Sequence, residues 1–410
     1  MPGSPSTDSQ NVIDSGKQAF LPNYAPLPVV LDHGHGARVF DKDGNEYIDF
    51  GAGISVSSLG HQEPELMAAA REQLGKLWHM SNLYWTEPPV MLCEELAASC
   101  FAERVFLCNS GAEANEAAIK MARKWASQTR APDHREIITF EGGFHGRTLA
   151  TVTATAQPKY HEGFEPLPGG FKYCKFNDFD AIEKMMSEKT CAVMVEPVQG
   201  EGGIYPAAPG FLEHLRKLCD QHNALLIVDE VQCGMGRTGK LFAHEWSGVE
   251  PDIMTLAKAL GGGLPIGAML AGPKVAQCMQ PGSHGSTFGG NPVACAVARV
   301  VLRKMSDPAL LARVLELSER VVARLQKIGE SRQLFSQVRA AGLMVGAQLR
   351  EPFASKGGAM MAKGTEHGVL LLTAGADVLR LLPPLNVTDE ELEVGMQRLE
   401  AAVLAAVDSE

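Results

Sequence analysis

No Cys-x-x-Cys pair, no block of lysines or arginines and no apolar run long enough to cross a bilayer occurs in this chain of 410 residues. Each absence removes a class of function. The nine cysteines (Cys93, Cys100, Cys108, Cys174, Cys191, Cys219, Cys233, Cys278 and Cys295) are scattered and odd in number. That distribution excludes a disulfide frame and a zinc cluster, and reads as buried thiols in a reducing, cytoplasmic setting. Basic residues are outnumbered, 37 against 48 acidic ones, for a net charge of −11. Such a balance repels nucleic acid and anionic membrane unless a local patch overrides it, and no patch is present. The amino terminus, "MPGSPSTDSQNVIDSGKQ", lacks the basic and apolar regions of a secretory signal. His33 and His35 in "DHGHG" have no Cys or carboxylate cluster to complete a metal site, so they are read as loop histidines and no metal is expected.

What is present is ordinary globular material, 45% apolar and 21% charged, in a chain too long for one core. Residues 1–15 are rich in Ser, Pro and Asp and are read as a mobile segment. Short alternating runs around "DKDG" then suggest a hairpin. From there to about residue 300, helical stretches alternate with the runs "RVFLCNS", "EIITF", "CAVMVEP", "ALLIVDE", "DIMTLAK" and "GAMLAG". Such alternation predicts a mostly parallel sheet covered by helices, an α/β domain. Beyond it come a long helix, a group of strands and a terminal helix opened by a capping box, Thr388 to Glu391. The expected division is 16–60 and 306–410 as a smaller α+β domain, with 61–305 as the large one.

The stretch "ALLIVDEVQCGMGRTGKL" poses the chemical question. Gly234, Gly239 and Lys240 fit the front of a phosphate-loop pattern, but Leu241 replaces the hydroxyl that would ligate Mg²⁺, and Asp229 and Glu230 oppose a polyphosphate. What remains is a carboxylate at the carboxyl end of an apolar strand, where open α/β sheets place ligand-binding groups. At "CNSGAEANEAA", Ser110, Gly111 and Ala112 stand at a strand-to-helix junction, where free N–H groups suit one phosphate; a simple helix cap is the plainer account. Lys258 follows an apolar run and precedes three glycines, a setting that suits an amine nucleophile or a lysine snorkelling from a strand end. Together they fit pyridoxal phosphate, which needs an anion cup, a lysine for its aldehyde and a carboxylate at its ring nitrogen.

The runs "NSGAEANEAAIKMAR", "FEGGFHGRTLATVTATAQPKY", "VEPVQGEGG", "PDIMTLAKALGGGLPIGAML" and "HGSTFGGNPVACAVA" closely resemble the class III aminotransferases, in order, from about Tyr24 to the carboxyl end. Within that family they look most like the enzymes that act on N-acetylornithine and N-succinylornithine. The resemblance implies a type I aminotransferase fold, with a large cofactor domain and a small domain made from both chain ends. It implies Lys258 as Schiff-base lysine, Asp229 as partner of the ring nitrogen, Val231 and Gln232 beside the cofactor, and Ser110, Gly111 and Ala112 at its phosphate. Phe144 would stack on the ring. Thr287 and Ser286 would reach across a homodimer interface, to phosphate and substrate respectively.

The implied reaction moves the terminal amine of an N-acylated ornithine to 2-oxoglutarate, giving a semialdehyde and glutamate. Arg147 would clamp the distal carboxylate. Arg380 would take the carboxylate beside the reacting carbon, neutralised by Glu201 while the ω-amine is bound. Tyr24 would line the substrate entrance, and Asn82 would lie near the partner's cofactor; Phe288 stands where many relatives have Tyr. Ornithine and 4-aminobutyrate transaminases and aminomutases share these motifs, and N-succinyldiaminopimelate is a further donor. A nucleotide-dependent enzyme and a non-enzymatic binding protein are the readings from other classes.

Overall fold

The computed structural model describes residues 5–408. It divides into two compact units, one from Pro64 to Arg313 and the other formed by the residues before and after that span.

The larger unit is built on a seven-stranded sheet in the order Arg104–Cys108, Gly267–Ala271, Ile253–Leu256, Leu225–Asp229, Thr190–Val195, Glu136–Phe140, Phe171–Cys174. Only Gly267–Ala271 runs antiparallel to its neighbours. Every residue of Thr190–Val195, Leu225–Asp229 and Ile253–Leu256 is buried, as expected for strands covered on both faces. One face packs the helix Gly111–Thr129, through Ala118, Met121, Ala122 and Trp125, on Ile137, Met194 and Ile227. The other packs the helix Phe211–Gln221, through Phe211, Leu215 and Leu218, on Ile138, Val193 and Val228. Parallel order brings the carboxyl ends of these strands to one edge, which positions the site.

The other unit holds two four-stranded sheets. One comprises Leu31–His35, Arg38–Asp41, Glu46–Asp49 and Val369–Leu370; the other comprises Phe335–Ala341, Met344–Leu349, Val378–Leu381 and Leu372–Ala374. Chain ends meet here. Val369 pairs with Ile48 in parallel register, and Glu391 accepts the N–H of Ala37 at 3.1 Å. The same Glu391 closes the anticipated capping box, taking the N–H of Thr388 at 2.9 Å while its own N–H donates to Thr388 Oγ1 at 3.2 Å. Ala52 to Ser55 form a left-handed turn, with φ of +44°, +60°, +63° and +63°. Asp49 holds its start, accepting the N–H groups of Gly51 and Ala52 at 2.9 and 2.8 Å.

Three features differ from the sequence reading. Thr7–Ala19 is a helix, capped by Ser6, whose hydroxyl and that of Ser9 are tied to Asp43. The long helix expected after about residue 300 is two helices, Pro292–Met305 and Pro308–Glu330, because Pro308 has no N–H to continue the first and Asp307 accepts the N–H of Ala309 at 2.9 Å. His33 and His35 lie on the strand Leu31–His35, with their rings stacked on Phe40 at 4.8 and 5.7 Å.

Candidate active site

Asp229 ends its strand almost entirely buried, at 3% exposure. A carboxylate there must be matched by donors, and three are supplied. Asn115 Nδ2 donates to Oδ2 at 2.7 Å, His145 Nδ1 lies 2.7 Å from the same oxygen, and Val231 N–H donates to Oδ1 at 3.0 Å. The donors are themselves fixed. Thr255, the register partner of Asp229 on the next strand, donates its hydroxyl to Asn115 Oδ1 at 2.7 Å, and Asn115 also bonds the carbonyl of His145 at 2.8 Å. Burial alone would depress His145, but the hydrogen bond and charge of Asp229 outweigh it and hold the imidazole above its ordinary value. A carboxylate has about four acceptor positions, so Oδ1 retains capacity for one more N–H donor.

Lys258 lies three residues beyond Thr255, at the start of the turn Lys258–Gly261. Its φ of +41° puts a non-glycine residue in the left-handed region, a strain of roughly 1–3 kcal/mol that recurs at functional sites. It is half-buried.

Ser110 caps the helix Gly111–Thr129: its hydroxyl accepts Glu113 N–H at 3.2 Å, and Glu113 returns to Asn109 N–H at 2.7 Å. Both plainer and sharper expectations are therefore served, since capping uses the Ser110 side chain while the N–H groups of Gly111 and Ala112 at the helix start lie outside that arrangement. A Cβ on Gly111 would fall 2.7 Å from Val231 Cγ1, so the helix start is drawn onto the residues after Asp229. Two donors at a helix start, a carboxylate with a spare lone pair and a half-buried amine make a chemically coherent set for a phosphorylated pyridine aldehyde.

The remaining expected residues fall into groups. Arg147 is exposed, with its guanidinium 4.1 Å above the Tyr160 ring and 5.4 Å from that of Phe144, two rings that meet edge to face at 5.9 Å. Gln232 is buried and donates Nε2 to Glu201 Oε1 at 3.3 Å. Ser286 Oγ accepts Gly289 N–H at 2.9 Å and Asn109 Nδ2 at 3.1 Å, while Asn82 Nδ2 clamps the carbonyls of Ser286 and Gly289 at 3.1 Å each; Thr287 is exposed. Tyr24 (81% exposed) and Arg380 (2%, on the strand Val378–Leu381) belong to the other unit.

The glycine-rich loop has another purpose. Glu230 accepts the N–H groups of Ala243 and His244 at 2.6 and 2.8 Å and contacts His244 Nδ1 at 2.7 Å. Gly234, Gly236, Arg237 and Gly239 spend their N–H groups on carbonyls of the same segment, and Lys240 lies over the Trp246 ring at 5.3 Å. Sequence reasoning missed Asn115, His145 and Thr255. Their only signal was a polar residue on an otherwise apolar face, as in "DIMTLAK".

Comparison with known proteins agrees with this geometry. The model of the family described as aminotransferase class-III matches residues 19–403. An acetylornithine aminotransferase of Xanthomonas campestris pv. campestris is 60% identical over 95% of this chain and 96% of that protein, and one of Vibrio parahaemolyticus is 48% identical over 95% and 97%. Among solved structures, N-acetylornithine aminotransferase from Stenotrophomonas maltophilia K279a is 50% identical, covering 97% of this chain and all of the other, with a TM-score of 0.85. Ornithine aminotransferase from Toxoplasma gondii ME49 reaches a TM-score of 0.94 at 35% identity, over 98% and 96% of the two chains. With a family match spanning nearly its whole length and a buried Asp229 set beside the Lys258 turn, the chain belongs to the class III aminotransferases.

Proposed function

We propose that the chain binds pyridoxal 5'-phosphate and transfers the terminal amine of N-acetylornithine to 2-oxoglutarate, yielding N-acetylglutamate 5-semialdehyde and glutamate, in the service of arginine metabolism. The observation that carries this is the buried Asp229 carboxylate, held by three donors and still able to accept one more, on the strand beside the one that leads to Lys258.

When bound, the cofactor supplies a ring that accepts the electron pair released at the substrate carbon. Asp229 would partner the ring nitrogen and favour its protonated form. Gly111 and Ala112 would hold the phosphate through their N–H groups, with Ser110 and, from a second copy, Thr287. Phe144 would stack on the ring, and Val231 and Gln232 would lie beside it. Lys258 Nζ receives the proton from the reacting carbon as general base and returns it as general acid.

Two substrates of different charge use one site. Arg147, pre-oriented by Tyr160, binds the distal carboxylate. Arg380 binds the carboxylate beside the reacting carbon when glutamate or 2-oxoglutarate enters, and Glu201 neutralises it otherwise. Glu201→Ala should slow the ω-amine half-reaction by about tenfold relative to the glutamate half-reaction, the scale of one charge-assisted hydrogen bond; equal single-turnover rates would discard the switch. Tyr24 and Ser286 contribute to the substrate side.

A homodimer fits an exposed apolar segment, in which Trp78, Leu83, Tyr84 and Trp85 are 63–92% exposed. The nine cysteines are free, which fits the cytoplasm. Among the described residues no helix is long and apolar enough to cross a membrane.

The test is an absorbance spectrum with a ladder of amine donors. A visible band that N-acetylornithine bleaches and 2-oxoglutarate restores, absent in Lys258→Ala, is the expected result. Preferential bleaching by ornithine would transfer the assignment to the activity for which the Toxoplasma neighbour is named.

A further inference from the structure

Glu196 is a buried carboxylate that the scheme above does not use. It follows the strand Thr190–Val195 directly, is 6% exposed, and accepts Phe144 N–H at 2.8 Å through Oε1 and Gly200 N–H at 3.2 Å through Oε2. It therefore ties the peptide of the ring-packing phenylalanine to the turn that carries Glu201. It also faces His145. A Cβ placed on Gly143 would lie 3.5 Å from Glu196 Oε1 and 3.5 Å from His145 Nε2, so these two atoms border the same small gap, within twice that distance of each other. The opposite imidazole nitrogen, Nδ1, contacts Asp229. A glycine at 143 is what leaves the gap open.

The charges follow the same line. Burial pushes Glu196 up to about 7, helped by the negative charge of Asp229 and opposed by His145 and by the two backbone N–H groups. His145 is raised by Asp229 first and by Glu196 after it, against the cost of burial. The Cys233 thiol, which also senses Glu196, Asp229 and Glu230, is held protonated by its burial. Two carboxylates thus flank one imidazole in a site that water scarcely reaches.

Resting on the assignment of Asp229 made above, we propose that Glu196 is a positioning residue that acts on Asp229 through His145. A single protein carboxylate facing a ring nitrogen is tuned by the imidazole behind it, and the charge of that imidazole is favoured by a second carboxylate across the gap. Removing the charge of Glu196 without its shape should weaken the hold on a pyridinium and favour the deprotonated form of every nearby group.

A double-mutant cycle tests this, using Glu196→Gln, His145→Gln and the pair, with pyridoxal phosphate affinity and the pH midpoint of the bound cofactor's visible band as readouts. Glu196→Gln is expected to weaken cofactor binding about tenfold, the scale of one hydrogen bond to a charged group, and to move the midpoint downward. In the His145→Gln background the same change should have less than about a twofold effect. Glu196→Asp, which keeps the charge, should restore the wild-type midpoint and serves if the glutamine variant does not fold. Additive effects would mean that Glu196 only braces Phe144 and Gly200, and an unchanged midpoint would likewise overturn the proposal. Wild-type protein that takes up no pyridoxal phosphate would overturn the Asp229 assignment itself.

Discussion

Two adjacent carboxylates leave one strand end toward different partners. Asp229 turns to Asn115 and His145, and Glu230 to the backbone and imidazole of His244. In the sequence they are a single acidic pair, and the choice between them rests on motif context. Their partners lie 114 and 84 positions from Asp229 and 14 from Glu230, so nothing in the local pattern announces them. Lys258 and Asp229 were legible because each follows an apolar run; the strained φ of Lys258 and the supports behind Asp229 exist only in three dimensions. The Glu230 pair has a pH signature. Burial opposes the protonation of His244, but the hydrogen bond and charge of Glu230 prevail, so its folded-state value lies above the unfolded one near 6.5. Its stabilisation is complete below the unfolded value and is lost as pH rises through the folded one. His244→Gln should therefore cost about 1–3 kcal/mol at pH 6 and progressively less in alkaline buffer, measured by urea unfolding across pH.

At the level of elements, the sheet was readable because strands buried on both faces are nearly continuous apolar runs. The edge strand Phe171–Cys174, partly exposed and following two glycines, gave no such run. The break between Met305 and Pro308 was hidden by helical periodicity on both sides. The junction at Gly111 makes a sharp forecast. Gly111→Ala drives a methyl to 2.7 Å from Val231, which should push the helix start away and weaken pyridoxal phosphate binding by about tenfold or more. Val231→Ala in the same chain should recover most of that loss in an equilibrium dialysis measurement. The left-handed turn Ala52–Ser55 forecasts the opposite sign. Ile54, β-branched, at φ +63° and 41% exposed, gives up little burial when replaced, so Ile54→Gly should leave stability unchanged or raise it by up to about 1 kcal/mol in thermal unfolding.

For the molecule as a whole, the exposed segment from Trp78 to Trp85 is the feature most in need of a partner. Leu83→Asp together with Trp85→Asp should yield a monomer by analytical ultracentrifugation, with turnover lost while far-UV circular dichroism is kept. An active monomer would end the shared-site proposal for Ser286 and Thr287. The class III family match runs from residue 19 to 403 and so takes in parts of both units. The sequence could suggest that both chain ends join one unit, but not the pairing that joins them.

That pairing sets a schedule. Ile48 meets Val369 in the finished sheet, and Ala37 meets Glu391. During synthesis at about 5–20 residues per second, the amino-terminal strands leave the ribosome roughly 15 to 60 seconds before their partner is made. For that interval they are an open edge with apolar side chains and no mate, the condition in which chains aggregate or are taken up by chaperones. Yield in cells should therefore depend on how quickly translation reaches the last forty or so codons as well as on the stability of the folded enzyme.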